Sequence, residues 1–241
     1  MKKIYLLLII FLVSGCTNSS KVVFLGDSIT QAALHIKGDT IIVNDSIIGY
    51  HEYSGFITLI DEKINDDVKL IGKGVSGDKV SDLLTRYEED VLELNPDIVF
   101  IYIGINDVWH KYDYGTGTDI DLYESGLRQI ISDIKSQGAK IVLCTPTLIG
   151  ENSGEFTLVN QFKDVETMER MNGDLDNFSD VIRELSNEFN TDLLDLRDIF
   201  MTYVSENNLN NEPSGLLTYD GVHLNELGEK MIADEMIRFI N

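Results

Sequence analysis

Val22-Val23-Phe24-Leu25-Gly26-Asp27-Ser28-Ile29-Thr30 is a run of four apolar residues that stops at a glycine and then presents an acid and a serine. Apolar residues without alternation read as a short strand buried on both faces, as in a parallel sheet. The serine then stands on the turn after that strand, where a helix begins. Working outward, Val68–Ile71, Ile98–Ile103, Ile141–Leu143 and Leu193–Leu196 are segments of the same kind. Helical patterns lie between them, over roughly 53–65, 78–93, 119–137 and 171–189. Leu83, Leu84, Tyr87, Val91 and Leu94 recur at the three-to-four spacing of a helix packed on one face, and Asn95-Pro96 closes that helix. A last helix over Glu226–Ile240 carries Leu227, Met231, Ile232, Met236 and Phe239 on one broad side. Strand–helix alternation of this sort predicts an α/β protein, with a mostly parallel five-stranded sheet between helices on both faces. Such folds bind at the carboxyl ends of their strands. Ser28, Gly77 and Asn106 all fall there.

Two stretches do not fit the alternation. Residues 31–52, with Gly38-Asp39-Thr40 and Asn44-Asp45, read as an insertion that forms a short hairpin over the site. Residues 147–170 read as a long loop, and loops of that length in compact domains are commonly lids or binding loops.

The chain has 241 residues, enough for one domain with a full core, and a formal net charge of −22. With no basic stripe, that charge argues against a nucleic-acid partner, because phosphate is bound through clustered Lys and Arg. The start is of another character. Lys2 and Lys3 precede an unbroken apolar run from Ile4 to Val13, too short to span a bilayer and the length of a signal-peptide core. Val13-Ser14-Gly15-Cys16 then resembles the bacterial lipobox, in which cleavage precedes a lipid-modified cysteine. The expected organisation is a lipoprotein signal over 1–15, a lipidated Cys16 with a polar tether to Ser20, and one catalytic domain over 21–241. This implies an exported protein held at a membrane. Cys144, the second of two cysteines, sits in an apolar strand, so no disulfide is expected.

Far downstream of Ser28 lies Asp220-Gly221-Val222-His223. A serine hydroxyl is a poor nucleophile until a base takes its proton, and histidine is the natural base near neutral pH. An acid three residues from the histidine can fix its tautomer and stabilise the imidazolium. Alone, a DxxH would read as a turn cap beside a surface histidine; paired with Gly26-Asp27-Ser28 it reads as a catalytic set. Ester hydrolysis also needs donors aimed at the developing oxyanion. The Asn106 amide, the Ser28 backbone N–H and a backbone N–H at Gly77, with Gly74 as its rival, are the candidates. Asp27, Trp109 and His110 are expected at the pocket's border, and Tyr50, His51 and Tyr53 are candidates for an acyl or sugar subsite by position.

The blocks FLGDSIT, GKGVSGD, IGIND and DGVHLNELG, spread in order over residues 24 to 228, resemble the motifs of the GDSL or SGNH hydrolase family. The resemblance implies a flavodoxin-like three-layer sandwich and an acyl-enzyme esterase. It implies Ser28 as nucleophile, His223 as base, Asp220 as its orienter, and Ser28, Gly77 and Asn106 as the oxyanion hole. Gly77 is preferred to Gly74 because the family's glycine precedes an aspartate. One departure is Gly72, where many members carry a non-catalytic Asn.

Competing motifs are weaker. Gly72-Lys73-Gly74-Val75-Ser76-Gly77 matches GxGxxG, but the next strand ends without an acid to hold a ribose. The four histidines show no metal-ligand spacing. Neither cofactor nor metal is therefore expected. The expected substrate is a short acyl ester, such as an acetyl ester of a carbohydrate. A lysophospholipase-like lipid acyl hydrolase is the runner-up, and an inactive carbohydrate-binding surface module is the alternative of another class.

Overall fold

A computed structural model describes residues 19–43, 46–151 and 165–240. Five strands form one parallel sheet: β1 (Ser20–Gly26), β4 (Val68–Gly74), β5 (Ile98–Tyr102), β6 (Lys140–Cys144) and β7 (Asp192–Leu194), in the spatial order β4-β1-β5-β6-β7. β1 is flanked by β4 on one side and β5 on the other, so strand order reverses across it. The crevice at the carboxyl end of β1 is thus the switch point at which open α/β sheets place their sites.

The register sets Phe24 beside Phe100, with rings stacked 4.9 Å apart. Phe24 meets Phe56 of α2 (Phe56–Asp61), and Phe100 meets Phe239, just beyond α8 (Glu226–Met236). One helical layer is therefore α2 packed on α8. Alternation turns Val23, Leu25, Val99 and Ile101 to the opposite face. There α3 (Val80–Asp90), α5 (Ile120–Ser136) and α6 (Val165–Phe189) lie side by side, with Tyr123 packed on Phe178 and the Tyr87 hydroxyl donating to Asp133 at 2.7 Å. This is the expected three-layer sandwich.

Several expected boundaries move. β1 takes in Ser20, whose N–H donates to the Asp67 carbonyl, because the ladder to β4 continues past the apolar run. The last strand stops at Leu194. Asp195 then caps a helix the sequence reading did not contain, α7 (Leu196–Asn207), by accepting from the Asp198 N–H. The helix expected over 53–65 is confined to α2, and the one expected from 171 begins at Val165. The final helix ends at Met236 in a 3-10 turn over 237–239. The insertion does hold a hairpin, β2 (Thr40–Val43) paired antiparallel with β3 (Ser46–Tyr50). The proposed signal and Cys16, and residues 152–164 of the long loop, lie outside the described residues. Among those described, no helix is long and apolar enough to cross a membrane.

Candidate active site

Ser28 is the first residue of the short helix α1 (Ser28–Ala32), two residues past the end of β1. Asp27 caps that helix by accepting from the Ile29 N–H at 3.0 Å, so its carboxyl points down the helix axis and leaves Ser28 standing on the turn. Asp27 is buried. Desolvation pushes its carboxyl up to about 7, opposed by the Ile29 hydrogen bond and the nearby His223.

The structure brings the distant DxxH to this serine. Ser28 Oγ lies 3.0 Å from His223 Nε2, and His223 Nδ1 lies 2.7 Å from Asp220 Oδ2. The other Asp220 oxygen accepts from the Val222 and His223 backbone N–H groups at 3.0 and 2.7 Å. Acid and imidazole are therefore fixed to one tight turn, and all three side chains are half-buried or nearly so. Burial alone would lower the His223 pKa. The Asp220 hydrogen bond and charge, with the charge of Asp27, outweigh it and hold the value above the ordinary imidazole range. Burial likewise pushes Asp220 up, but its bonds to His223 and the backbone carry it below the usual carboxylate value.

The candidate oxyanion donors sit on a stitched pair of helix starts. α4 (Ile105–Asp113), a helix not foreseen, presents Asn106 in its first turn, and the Asn106 Nδ2 donates to the Asp78 carbonyl at 3.1 Å. Next to it, the buried Asp107 carboxylate accepts from the Val80 N–H at 3.0 Å, tying α4 to α3. Burial pushes Asp107 up to about 6, against the hydrogen bonds from Thr118 and Val80. Gly77, between these anchors, has φ +84°, a conformation that favours glycine. Its rival Gly74 has another task. A Cβ there would fall 2.2 Å from the Gln31 nitrogen of α1, so its missing side chain lets β4 lie against the helix that begins at Ser28. Arg86 locks the same corner by donating to the Gly26 carbonyl at 2.8 Å, the Lys73 carbonyl at 3.0 Å and Asp78 at 2.7 Å.

His110 borders this corner, since a Cβ built on Gly77 would lie 4.0 Å from its ring. Trp109 packs against the core instead. Neither lines the cavity of about 420 Å³ that opens beside His223 under the hairpin; Tyr50, His51 and Tyr53 do. A larger cavity of about 510 Å³, among Met168, Asn172, Arg197 and Met201, reaches none of the residues around Ser28. Among the described residues no cluster of three metal-binding side chains occurs.

The sequence reading missed Glu151. This buried carboxylate accepts from the Leu216, Leu217 and Thr218 N–H groups and from the Thr218 hydroxyl, at 2.6 to 2.7 Å. Thr218 Oγ1 in turn accepts from the Gly221 N–H at 3.0 Å. One acid thus pins, from behind, the segment that carries Asp220 and His223. Replacing it with Gln puts an amide donor among four donors, which leaves buried groups unpaired. Glu151→Gln is expected to lower Tm and to cut kcat about tenfold with little change in KM. A lower Tm with unaltered kcat would confine Glu151 to stability.

The GDSL-like Lipase/Acylhydrolase family profile matches residues 24–231. An acetylxylan esterase of Geobacillus stearothermophilus is 28% identical over 230 residues, spanning 92% of this chain and 94% of that protein. The crystal structure of the acetyl xylan esterase AlAXEase superposes with a TM-score of 0.74 at 38% identity, covering 92% of this chain and all of that one. The uncharacterized lipoprotein YqeF of Bacillus subtilis is 24% identical over 157 residues, 64% of this chain and 60% of that protein.

Proposed function

The chain belongs to the GDSL-like Lipase/Acylhydrolase family and is a carboxylic ester hydrolase, and we propose that Ser28, His223 and Asp220 are its nucleophile, base and orienting acid, acting on acetyl esters of carbohydrates. The observation that carries this reading is the unbroken line from Ser28 Oγ through the His223 ring to Asp220, at 3.0 and 2.7 Å. Ser28 Oγ adds to the acetyl carbonyl carbon while its proton passes to His223 Nε2. Asp220 holds the Nδ1 proton and steadies the imidazolium. The carbonyl oxygen becomes an oxyanion facing the Ser28 and Gly77 N–H groups and the Asn106 amide. One such donor is worth about 2.7–4 kcal/mol of barrier. Collapse breaks the bond to the sugar oxygen, which takes the proton from His223 and leaves as an alcohol. Water then attacks the acetyl-serine by the same steps in reverse, releasing acetate and the free serine.

The acetyl and carbohydrate parts of the reading are supported by the relatives named acetylxylan esterases. A series of p-nitrophenyl esters, run beside acetylated xylobiose and a lysophospholipid, tests them. Acetyl esters and the sugar are expected to be cleaved fastest, and a fluorophosphonate probe to label Ser28. A preference for long acyl chains and the lysophospholipid would overturn the substrate class. No hydrolysis and no labelling would overturn the esterase mechanism.

We further propose that residues 1–15 are removed and that lipid on Cys16 holds the domain on the outer side of a membrane. The Lys2-Lys3 start, the apolar run and Val13–Cys16 support this, as does the relative named a lipoprotein. Because β1 begins at Ser20, only Thr17 to Ser19 would separate the anchor from the sheet. Metabolic labelling with a fatty-acid probe is expected to tag the wild type and spare Cys16→Ala; tagging of that variant would sink the anchor.

A further inference from the structure

The cavity beside His223 is lined on one wall by the base of the hairpin and on the other by the turn that carries the histidine. Neither Gly77 nor Asn106 lines it, so it lies away from the corner where the carbonyl oxygen is to be held. His223 is the group that hands a proton to the departing alkoxide. A cavity lined by His223, and apart from the oxyanion donors, is placed for the alcohol half of the ester. The acyl half belongs elsewhere.

Its walls define what that alcohol is. Tyr219 lies parallel to the His223 ring, with centroids 5.8 Å apart and 16° between planes, and Tyr50 projects from the end of β3. The His35 and His51 rings lie 3.7 Å apart, tilted by 33°, and partial desolvation, with the charge of His51, keeps His35 below the ordinary imidazole range. A neutral imidazole both donates and accepts hydrogen bonds. Tyr53 is held in place by donating to the Leu224 carbonyl at 2.8 Å. At the back, Glu229 is 3% exposed and accepts from the Phe56 N–H at 2.8 Å through one oxygen. Burial pushes this carboxyl up to about 8, toward its uncharged form, in which it can donate as well as accept. Among the described residues lining the cavity there is no lysine or arginine, whereas Glu52 lines it. Phosphate and carboxylate are recognised by cationic forks and point charges. A phospholipid headgroup or a uronate therefore finds no partner here. A neutral pyranose does, with ring faces for its C–H surface and polar edges for its hydroxyls, in a volume within the range of small-molecule sites.

We propose that this hairpin-walled cavity is the leaving-group subsite for a neutral sugar ring, with Tyr50, Tyr219 and the His35–His51 pair as its walls and Glu229 as its buried polar floor. The inference rests on the esterase reading above and deepens it. It assigns the hairpin insertion to selection of the alcohol and not of the acyl chain.

The test compares kcat/KM for acetylated xylobiose with that for p-nitrophenyl acetate, whose leaving group needs no sugar subsite, in the wild type, Tyr50→Ala and His51→Ala. Tyr50 is 62% exposed, so its removal leaves the core intact. The ratio is expected to fall roughly tenfold or more in each variant, mainly through KM. In a Ser28→Ala background, calorimetry should show binding of acetylated xylobiose weakened by about the same factor when Tyr50→Ala is added. An acetylated xyloside bearing a uronate should bind that background more weakly than its neutral counterpart. An unchanged ratio in both variants, or equal binding of neutral and anionic sugars, overturns the assignment. So does a changed preference among acetyl, butyryl and hexanoyl p-nitrophenyl esters, which would make the cavity an acyl pocket. These results leave the esterase reading standing if the wild type cleaves p-nitrophenyl acetate. If it does not, and Ser28 resists the fluorophosphonate, both fall together.

Discussion

Ser28→Ala and His223→Ala are each expected to reduce kcat on p-nitrophenyl acetate by about 10⁴- to 10⁶-fold, and the double variant to lose little more. The reason is that the two atoms act as a unit. Without the imidazole the hydroxyl keeps its proton, and without the hydroxyl the imidazole has nothing to activate. What remains is the contribution of the oxyanion donors and of binding. Folding is expected to survive, because Ser28 Oγ and His223 Nε2 bond to each other at the surface of the crevice and not to the core. The measurement is steady-state turnover beside a thermal melt. Single variants that each retain a tenth of the activity would show that hydrolysis proceeds elsewhere.

Asp220→Asn is expected to lower kcat about 10⁴-fold and to move the pH profile as well. In the wild type, activity should rise with pH as His223 loses its proton, through a value above the ordinary ~6.5 of imidazole, because the Asp220 hydrogen bond and charge override the opposing effect of burial. The neutral base is the working form, so the acid side is the inactive side. With Asn in place the pull of Asp220 is gone, and only the charge of Asp27 is left to oppose burial. The residual activity should then persist to lower pH than in the wild type. An amide also leaves the ring free to take the wrong tautomer, since Asn can donate to Nδ1 where Asp220 Oδ2 only accepts at 2.7 Å. A variant with the loss in rate but an unmoved acid limb would mean that Asp220 orients the ring without setting its charge.

How far this architecture was legible depended on whether a residue's environment followed from its neighbours in sequence. The five strands were, because a parallel strand is buried on both faces and advertises itself as an apolar run. The end of the fifth was not. Leu196 continues the apolar pattern of Leu193 and Leu194, yet Asp195 caps a helix there, and the next residue, Arg197, is 2% exposed. A charge that deep is tolerable only because Arg197 donates to Asp176 and to the Asn172 carbonyl across the packed helices, partners that no local pattern reveals. Glu151 was hidden for the same reason, since its four donors lie more than sixty positions downstream. The proposed triad was legible because Asp220 and His223 share one turn and Ser28 stands on the turn after a strand, so that only their meeting had to be supplied by the fold. Choosing Gly77 over Gly74 needed the family resemblance, and Gly74's contact with α1 now gives that choice a physical reason. The hairpin was expected as an insertion, but its relation to His223 required the three-dimensional arrangement.

Ser28 and His223 lie 195 positions apart, the one at the start of the helix that follows β1 and the other in the turn before the final helix. In the proposed mechanism, activation of Ser28 depends on a segment that begins about twenty residues from the C-terminal end of the chain. Without it the serine is an ordinary alcohol. On the proposed mechanism, hydrolytic competence requires the C-terminal segment to be docked beside Ser28. Turnover of a chromogenic ester would then report that docking, separately from the signals that report sheet and helix.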